Sequence, residues 1–171
     1  MKPVIIAILG LSGSGKTYMA QYIEEAFNIR SIVSFTTRPM RVGEINGKEH
    51  YFVSESEIPP KKEMIAYTLF GGYHYWACKS QVIAPLCSYV IDEKGYEELQ
   101  ERFSDTYRII PVLLHRPQSS METIDKKRRD RDDGRINLYK ISYDFTINNS
   151  GTIEDLEEKI DTIISNIKTK Y

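Results

Sequence analysis

Gly10-Leu11-Ser12-Gly13-Ser14-Gly15-Lys16-Thr17 decides the fold. It is the spacing G-x-x-x-x-G-K-[ST], the phosphate-cradling loop of nucleotide-binding α/β proteins. Upstream, Val4-Ile5-Ile6-Ala7-Ile8-Leu9 is one apolar run with β-branched members, as a buried parallel strand requires. Downstream, Met19, Ile23, Ala26 and Phe27 recur at helical spacing. Strand, glycine-rich turn and helix therefore follow in order. In such a loop, Gly10, Ser12, Gly13, Ser14 and Gly15 turn backbone N–H groups onto phosphate oxygens at the helix's positive end. Lys16 adds a point charge for β- and γ-phosphates, and Thr17 a hydroxyl for Mg²⁺.

Outward from that loop, 171 residues suffice for one domain with a proper core. A net charge of −1, with 27% charged residues, provides no basic field for nucleic acid or an anionic membrane. No apolar run approaches the roughly 20 residues of a membrane span, and Met1-Lys2-Pro3 leads straight into the first strand, as no signal peptide does. Cys78 and Cys87 lack metal-ligand spacing and read as idle thiols in a reducing compartment. A soluble, cytoplasmic protein is expected, monomeric or homodimeric.

Residues 31–35 read as a short strand, followed by a polar stretch broken by Pro39 and Gly43. Asn46-Gly47 signals a hairpin turn before the strand-like His50-Tyr51-Phe52-Val53. Residues 54–62 read as a short helix or turn stopped by Pro59-Pro60, and 64–70 and 73–77 as two strands around Gly71-Gly72. Together they make a small β-rich insertion suited to a substrate flap. The framework resumes with the apolar strand that ends in Asp92-Glu93. An acid there either holds Mg²⁺, directly or through water, or caps the helix expected over 95–103. Residues 107–114 read as a buried strand and 143–147 as a weaker one. A last helix begins at Thr152, with Asp155 in a capping-box position.

Between those last strands, residues 122–135 carry Arg128, Arg129, Arg131 and Arg135 among interleaved aspartates. Such a run is either a solvated helix face or a short helical lid whose guanidinium forks close over transferring phosphates. The fold expected is α/β: a parallel sheet of P-loop NTPase type flanked by helices, with core segments 1–33, 81–117 and 142–171. Residues 34–80 form the insertion and 118–141 the lid.

At Ser34-Phe35-Thr36-Thr37-Arg38-Pro39-Met40-Arg41-Val42-Gly43-Glu44, followed by Asn46-Gly47-Lys48-Glu49-His50-Tyr51-Phe52-Val53-Ser54, the sequence resembles the guanylate kinases. With the loop, the resemblance covers the first third nearly without gaps and continues loosely beyond it. It implies a nucleoside-monophosphate-binding flap, a lid, and transfer of the γ-phosphoryl of MgATP to GMP. Ser34, Arg38, Arg41 and Tyr75 match the family's contacts to the acceptor phosphate. His50 stands at another such contact, where the family has tyrosine. Tyr51 does not substitute for it, since neighbouring strand residues face opposite ways.

The base pocket departs from the family. Its guanine-reading glutamate, its serine or threonine and one aspartate align here with Ala66, Ala77 and Val90, leaving Asp92; Trp76 replaces a usual glycine. Glu63 would supply the missing carboxylate if the alignment slipped. Asn148 resembles a family asparagine near the adenine of ATP and equally fits a plain turn residue. Three readings follow: a guanylate-kinase-type enzyme with weakened guanine preference, a kinase of another nucleotide or sugar phosphate, and a non-catalytic module of the same fold. Scaffolds of that kind usually carry degraded loops, and this loop is intact.

Overall fold

The structure is a computed structural model in which residues 2–117 and 135–171 are described. Its organising element is a five-stranded, wholly parallel sheet. It contains β1 (Val4–Leu9), β2 (Ser31–Ile32), β7 (Leu86–Val90), β8 (Arg108–His115) and β9 (Phe145–Asn148), in the order β2-β7-β1-β8-β9. Side-chain alternation along β1 divides the core in two. Ile5, Ala7 and Leu9 face one side, with Tyr89, Ile91 and Leu113 and with Leu99 and Phe103 of helix α2 (Glu93–Phe103). Val4, Ile6 and Ile8 face the other, against Met19 and Ile23 of α1 (Lys16–Phe27) and Leu156, Ile160 and Ile164 of α3 (Ile153–Lys170). A sheet covered on both faces needs the unbroken apolar run that β1 provides.

The helix boundaries follow their caps. At the end of α1, Asn28 is left-handed with φ 54°, and its N–H returns to the Glu24 carbonyl at 3.0 Å. Thr152 and Asp155 close the expected capping box on α3: the Asp155 N–H donates to Thr152 Oγ1 at 3.2 Å, and the Thr152 N–H to Asp155 Oδ2 at 2.9 Å.

The insertion is a second, four-stranded sheet of β3 (Phe35–Thr36), β4 (Tyr51–Phe52), β5 (Met64–Phe70) and β6 (Tyr73–Cys78), in the order β4-β3-β6-β5. The strand read over 31–35 is therefore two strands in two sheets. Ser31–Ile32 pairs with Ser88 and Tyr89 in the core, and Phe35–Thr36 pairs with β4 and β6. Val33 and Ser34 carry the chain across. The segment read as a helix or turn over 54–62 is two 3-10 turns, Glu55–Glu57 and Lys61–Glu63. The edge strand β5 is fastened to α2, where the Tyr67 N–H donates to Glu98 Oε2 at 2.7 Å. Part of the segment assigned to the lid is a packed 3-10 turn, Ile136–Lys140, whose Leu138 is fully buried in the core. Residues 118–134, with Arg128, Arg129 and Arg131, lie outside the described residues.

Candidate active site

The loop 10–17 leaves β1 at its carboxyl end, where open parallel sheets bind ligands. Two of its glycines are required by geometry. Gly10 has φ 156°, and a Cβ there would run into the Leu114 carbonyl oxygen; Gly15, with φ 104°, would bring one within 2.9 Å of Asn149 Nδ2. Ser14 is buried beneath the turn, with its N–H on the Leu11 carbonyl at 3.2 Å. Helix α1 starts directly at Lys16, so Lys16 and Thr17 occupy the helix's positive end. Lys16 Nζ donates to the Leu11 carbonyl at 2.7 Å, folded back over its own loop.

Facing the loop, one pocket is lined by Lys16, Ser34, Arg38, Arg41, His50, Tyr75, Asp92 and Arg135. The residues expected to hold an acceptor phosphate thus come together, with the loop lysine and one lid-segment arginine beside them. Thr17 lines the adjoining cleft, which shares Ser34, Arg38, Arg41 and His50 with this pocket.

The end of the pocket that carries the residues expected to meet an acceptor phosphate is stiffly built. Arg38 is only 6% exposed, and Glu44 grips it bidentately, Nη1 to Oε2 at 2.9 Å and Nη2 to Oε1 at 2.8 Å. Its guanidinium also lies 5.3 Å from the centre of the Phe52 ring. The same carboxylate accepts the Arg41 N–H at 2.7 Å, so one acid sets both arginines. Burial tends to raise the Glu44 carboxyl, but the Arg38 and Arg41 hydrogen bonds outweigh it and hold it below the usual range. His50 Nδ1 shares a 2.8 Å hydrogen bond with the buried Ser34 Oγ, and its ring packs edge-on against Tyr75. Burial, reinforced by Arg38, lowers the His50 pKa to about 4, so the ring is neutral near pH 7. Tyr51 stacks instead on Phe35, which stacks on Trp76. Trp76 is therefore flap packing, and it does not line the pocket.

The other end, where the resemblance would put the base, is mostly apolar. Ala66, Tyr89, Val90 and Ile91 form its wall, together with Tyr67 and Phe70. Ala77 is fully buried in the core, and Glu63 is exposed, outside the pocket lining. No slip of alignment restores the missing carboxylate. The polar pair present is Thr68 and Asp92, joined at 3.0 Å from Thr68 Oγ1 to Asp92 Oδ1. Of the two uses foreseen for Asp92, the helix cap is the one observed: the same oxygen accepts the Gly95 N–H at 2.7 Å at the start of α2. Burial pushes its carboxyl up from the ordinary value, more than those two hydrogen bonds lower it.

Four contributors were not read from the sequence as site residues. Glu44 lies within the flap motif, Thr68 follows Ala66 on the same strand face, and Glu93 pairs with Arg135. The fourth is Asn149, whose Nδ2 donates to the Ser14 carbonyl at 2.8 Å. Asn148, the residue singled out, is exposed, and its backbone carbonyl accepts from Lys159 at 2.9 Å.

A nucleotide-binding loop facing a basic flap pocket across a parallel sheet defines the class: a P-loop phosphotransferase of the nucleoside monophosphate kinase kind. The family model described as guanylate kinase matches residues 1–86. The chain is 29% identical to a guanylate kinase of Helicobacter pylori, covering 96% of this chain and 86% of that protein. It is 28% identical to one of Clostridium tetani at the same coverage. The crystal structure of guanylate kinase from Anaplasma phagocytophilum superposes with a TM-score of 0.68 at 25% identity, over 96% of this chain and 86% of that one. The chain belongs to the guanylate kinase family.

Proposed function

We propose that this protein transfers the γ-phosphoryl group of MgATP to a nucleoside monophosphate, with GMP as the principal acceptor. The observation that carries the reading is the single pocket in which Lys16 and the flap residues Ser34, Arg38, Arg41, His50 and Tyr75 converge. The acceptor follows from the kinship with proteins named guanylate kinase.

The chemistry needs little covalent help from the protein. The loop amides and Lys16 hold the donor phosphates at the head of α1. Arg38 and Arg41 neutralise the acceptor phosphate, which would otherwise repel the triphosphate. With Nδ1 accepting from the Ser34 hydroxyl, neutral His50 would carry its proton on Nε2 and donate it to a phosphate oxygen. The hydroxyl of Thr17, on the first turn of α1, would hold Mg²⁺, with Asp92 as the second residue to hold it, directly or through water. When bound, the ion screens the charge that develops on the transferring group. Arg128, Arg129 and Arg131 complete the reading as lid arginines from the segment outside the described residues. The core, flap and lid boundaries given above are part of the same proposal.

The apolar base wall favours one modification. Ala66 and Val90 bring no polar group to the pocket, so guanine is held with less discrimination than a facing carboxylate at position 66 would give. An ADP-release assay over GMP, dGMP, AMP, CMP, UMP and dTMP is the test. GMP turnover with measurable turnover of a second base supports the reading; no turnover of any monophosphate contradicts it. A second reading, another phosphorylated acceptor such as a modified nucleotide or sugar phosphate, rests on the same apolar wall and is judged in that assay by adding those compounds. Cys78 and Cys87 are free thiols raised by burial, as suits a cytoplasmic protein. Among the described residues no helix is long and apolar enough to cross a membrane.

A further inference from the structure

We propose that Glu93 is a positioning residue, fixing Arg135 at the seam between the phosphate loop and the flap pocket so that its guanidinium meets the phosphates where they come together. The inference rests on the kinase reading above. Glu93 is the first residue of α2, at the helix's positive end, and is 7% exposed. Arg135 grips it through Nε, at 3.0 and 3.1 Å from the two carboxylate oxygens, and through Nη2 at 2.6 Å. Both side chains are 9% exposed. On its other side, Nη1 reaches the carbonyl of Gly10, the first residue of the loop, at 3.4 Å. The guanidinium lies 5.9 Å from the centre of the Phe70 ring, at the end of β5. Arg135 thus touches the core, the loop and the flap at once.

Its backbone is equally fixed. The Leu138 N–H returns to the Arg135 carbonyl at 3.2 Å, Leu138 is fully buried, and its own carbonyl accepts from the Tyr143 hydroxyl at 2.6 Å. A buried ion pair is a weak source of stability, because desolvating both ions offsets their attraction. What a bidentate fork supplies is orientation. Glu93 does for Arg135 what Glu44 does for Arg38, and both arginines line the pocket that holds Lys16.

The test has a kinetic and a spectroscopic arm, both on the full chain. Glu93→Gln keeps the side chain's size and removes its charge. With MgATP and GMP it is expected to lower kcat roughly 10- to 100-fold, the worth of a charged hydrogen bond, while leaving the KM for GMP within about threefold. Arg135→Ala is expected to cost at least as much, and adding Glu93→Gln to it to cost nothing more. Wild-type turnover in Glu93→Gln, or losses that multiply in the double variant, overturn the proposal. Should Glu93→Gln fail to fold, Glu93→Asp, with its shorter reach, carries the same comparison.

The second arm does not need turnover. The Arg135 Nε–H resonance, assigned by its loss in Arg135→Lys, is expected to shift when guanosine and adenosine joined by five phosphates are added, and to stay unmoved in the Glu93 variant. A resonance that ignores the polyphosphate in the wild type overturns the positioning role. A wild type inert toward GMP whose Arg135 signal still responds supports that role and overturns only the choice of acceptor.

Discussion

At the scale of single residues, charge placement does most of the work. Lys16 is half-buried at the head of α1, where its ammonium donates to the Leu11 carbonyl of its own loop and supplies a point charge for the donor phosphates in this reading. Lys16→Ala is therefore expected to cut kcat by at least about a hundredfold, as removal of a transition-state contact does; steady-state kinetics check it. Glu44 has the opposite character. It touches no phosphate in this reading, yet it holds Arg38 through its side chain and Arg41 through its backbone. Glu44→Gln is expected to raise the KM for GMP on the order of tenfold, about 1.4 kcal/mol, with a smaller effect on the KM for ATP; equal effects on both would argue against the division of labour. His50 gives a pH signature. Its folded pKa is about 4 against 6.5 for the free side chain, so between those values the unfolded chain binds the proton that the folded chain refuses. The contribution is fully present above pH 6.5 and is lost as pH falls toward 4, on the order of 3 kcal/mol in all. Denaturant titrations across that window should show the fall, and His50→Gln should flatten it.

At the scale of elements, the sequence was most informative where one periodicity ran uninterrupted. The apolar run of β1, the glycine loop and the stripe of α3 each declare their structure locally, and the capping box of Thr152 marked the helix start to the residue. The change of sheet between Ile32 and Phe35 left no such trace, because strand patterning reports a strand without reporting its partner. The two asparagines at the end of β9 show the same limit more sharply. Neighbouring side chains point to opposite faces, so a shift of one position exchanges a part-buried contact for an exposed one. Asn149 reaches Ser14 of the loop, whereas Asn148 is exposed. Asn149→Ala is accordingly expected to raise the KM for ATP several-fold and Asn148→Ala hardly at all, a contrast that parallel kinetics on the two variants measure. The Glu93–Arg135 pair was illegible for a different reason: its partners come from distant segments, and only the packed turn at Leu138 brings them together.

At the scale of the whole molecule, two sheets with different tasks share a seam. The parallel core presents the amides and the lysine, the flap presents two arginines, and β5 is tied to α2 by the Tyr67–Glu98 and Thr68–Asp92 hydrogen bonds. In the proposed reading, the residues matching the family's phosphate contacts converge in the pocket, and the apolar Ala66 and Val90 stand where the family reads the base. The resemblance made that asymmetry visible from the sequence, but Thr68 as the partner of Asp92 needed the fold. The central claim is that the core and flap gather two phosphate chains head to head. Its most direct test is a crystal structure with guanosine and adenosine bridged by five phosphates. The expected result has the guanosine-side phosphate within hydrogen-bonding reach of the Arg38 and Arg41 guanidiniums and the adenosine-side phosphates on the loop amides and Lys16. An analogue bound with both guanidiniums turned away into solvent would contradict the account.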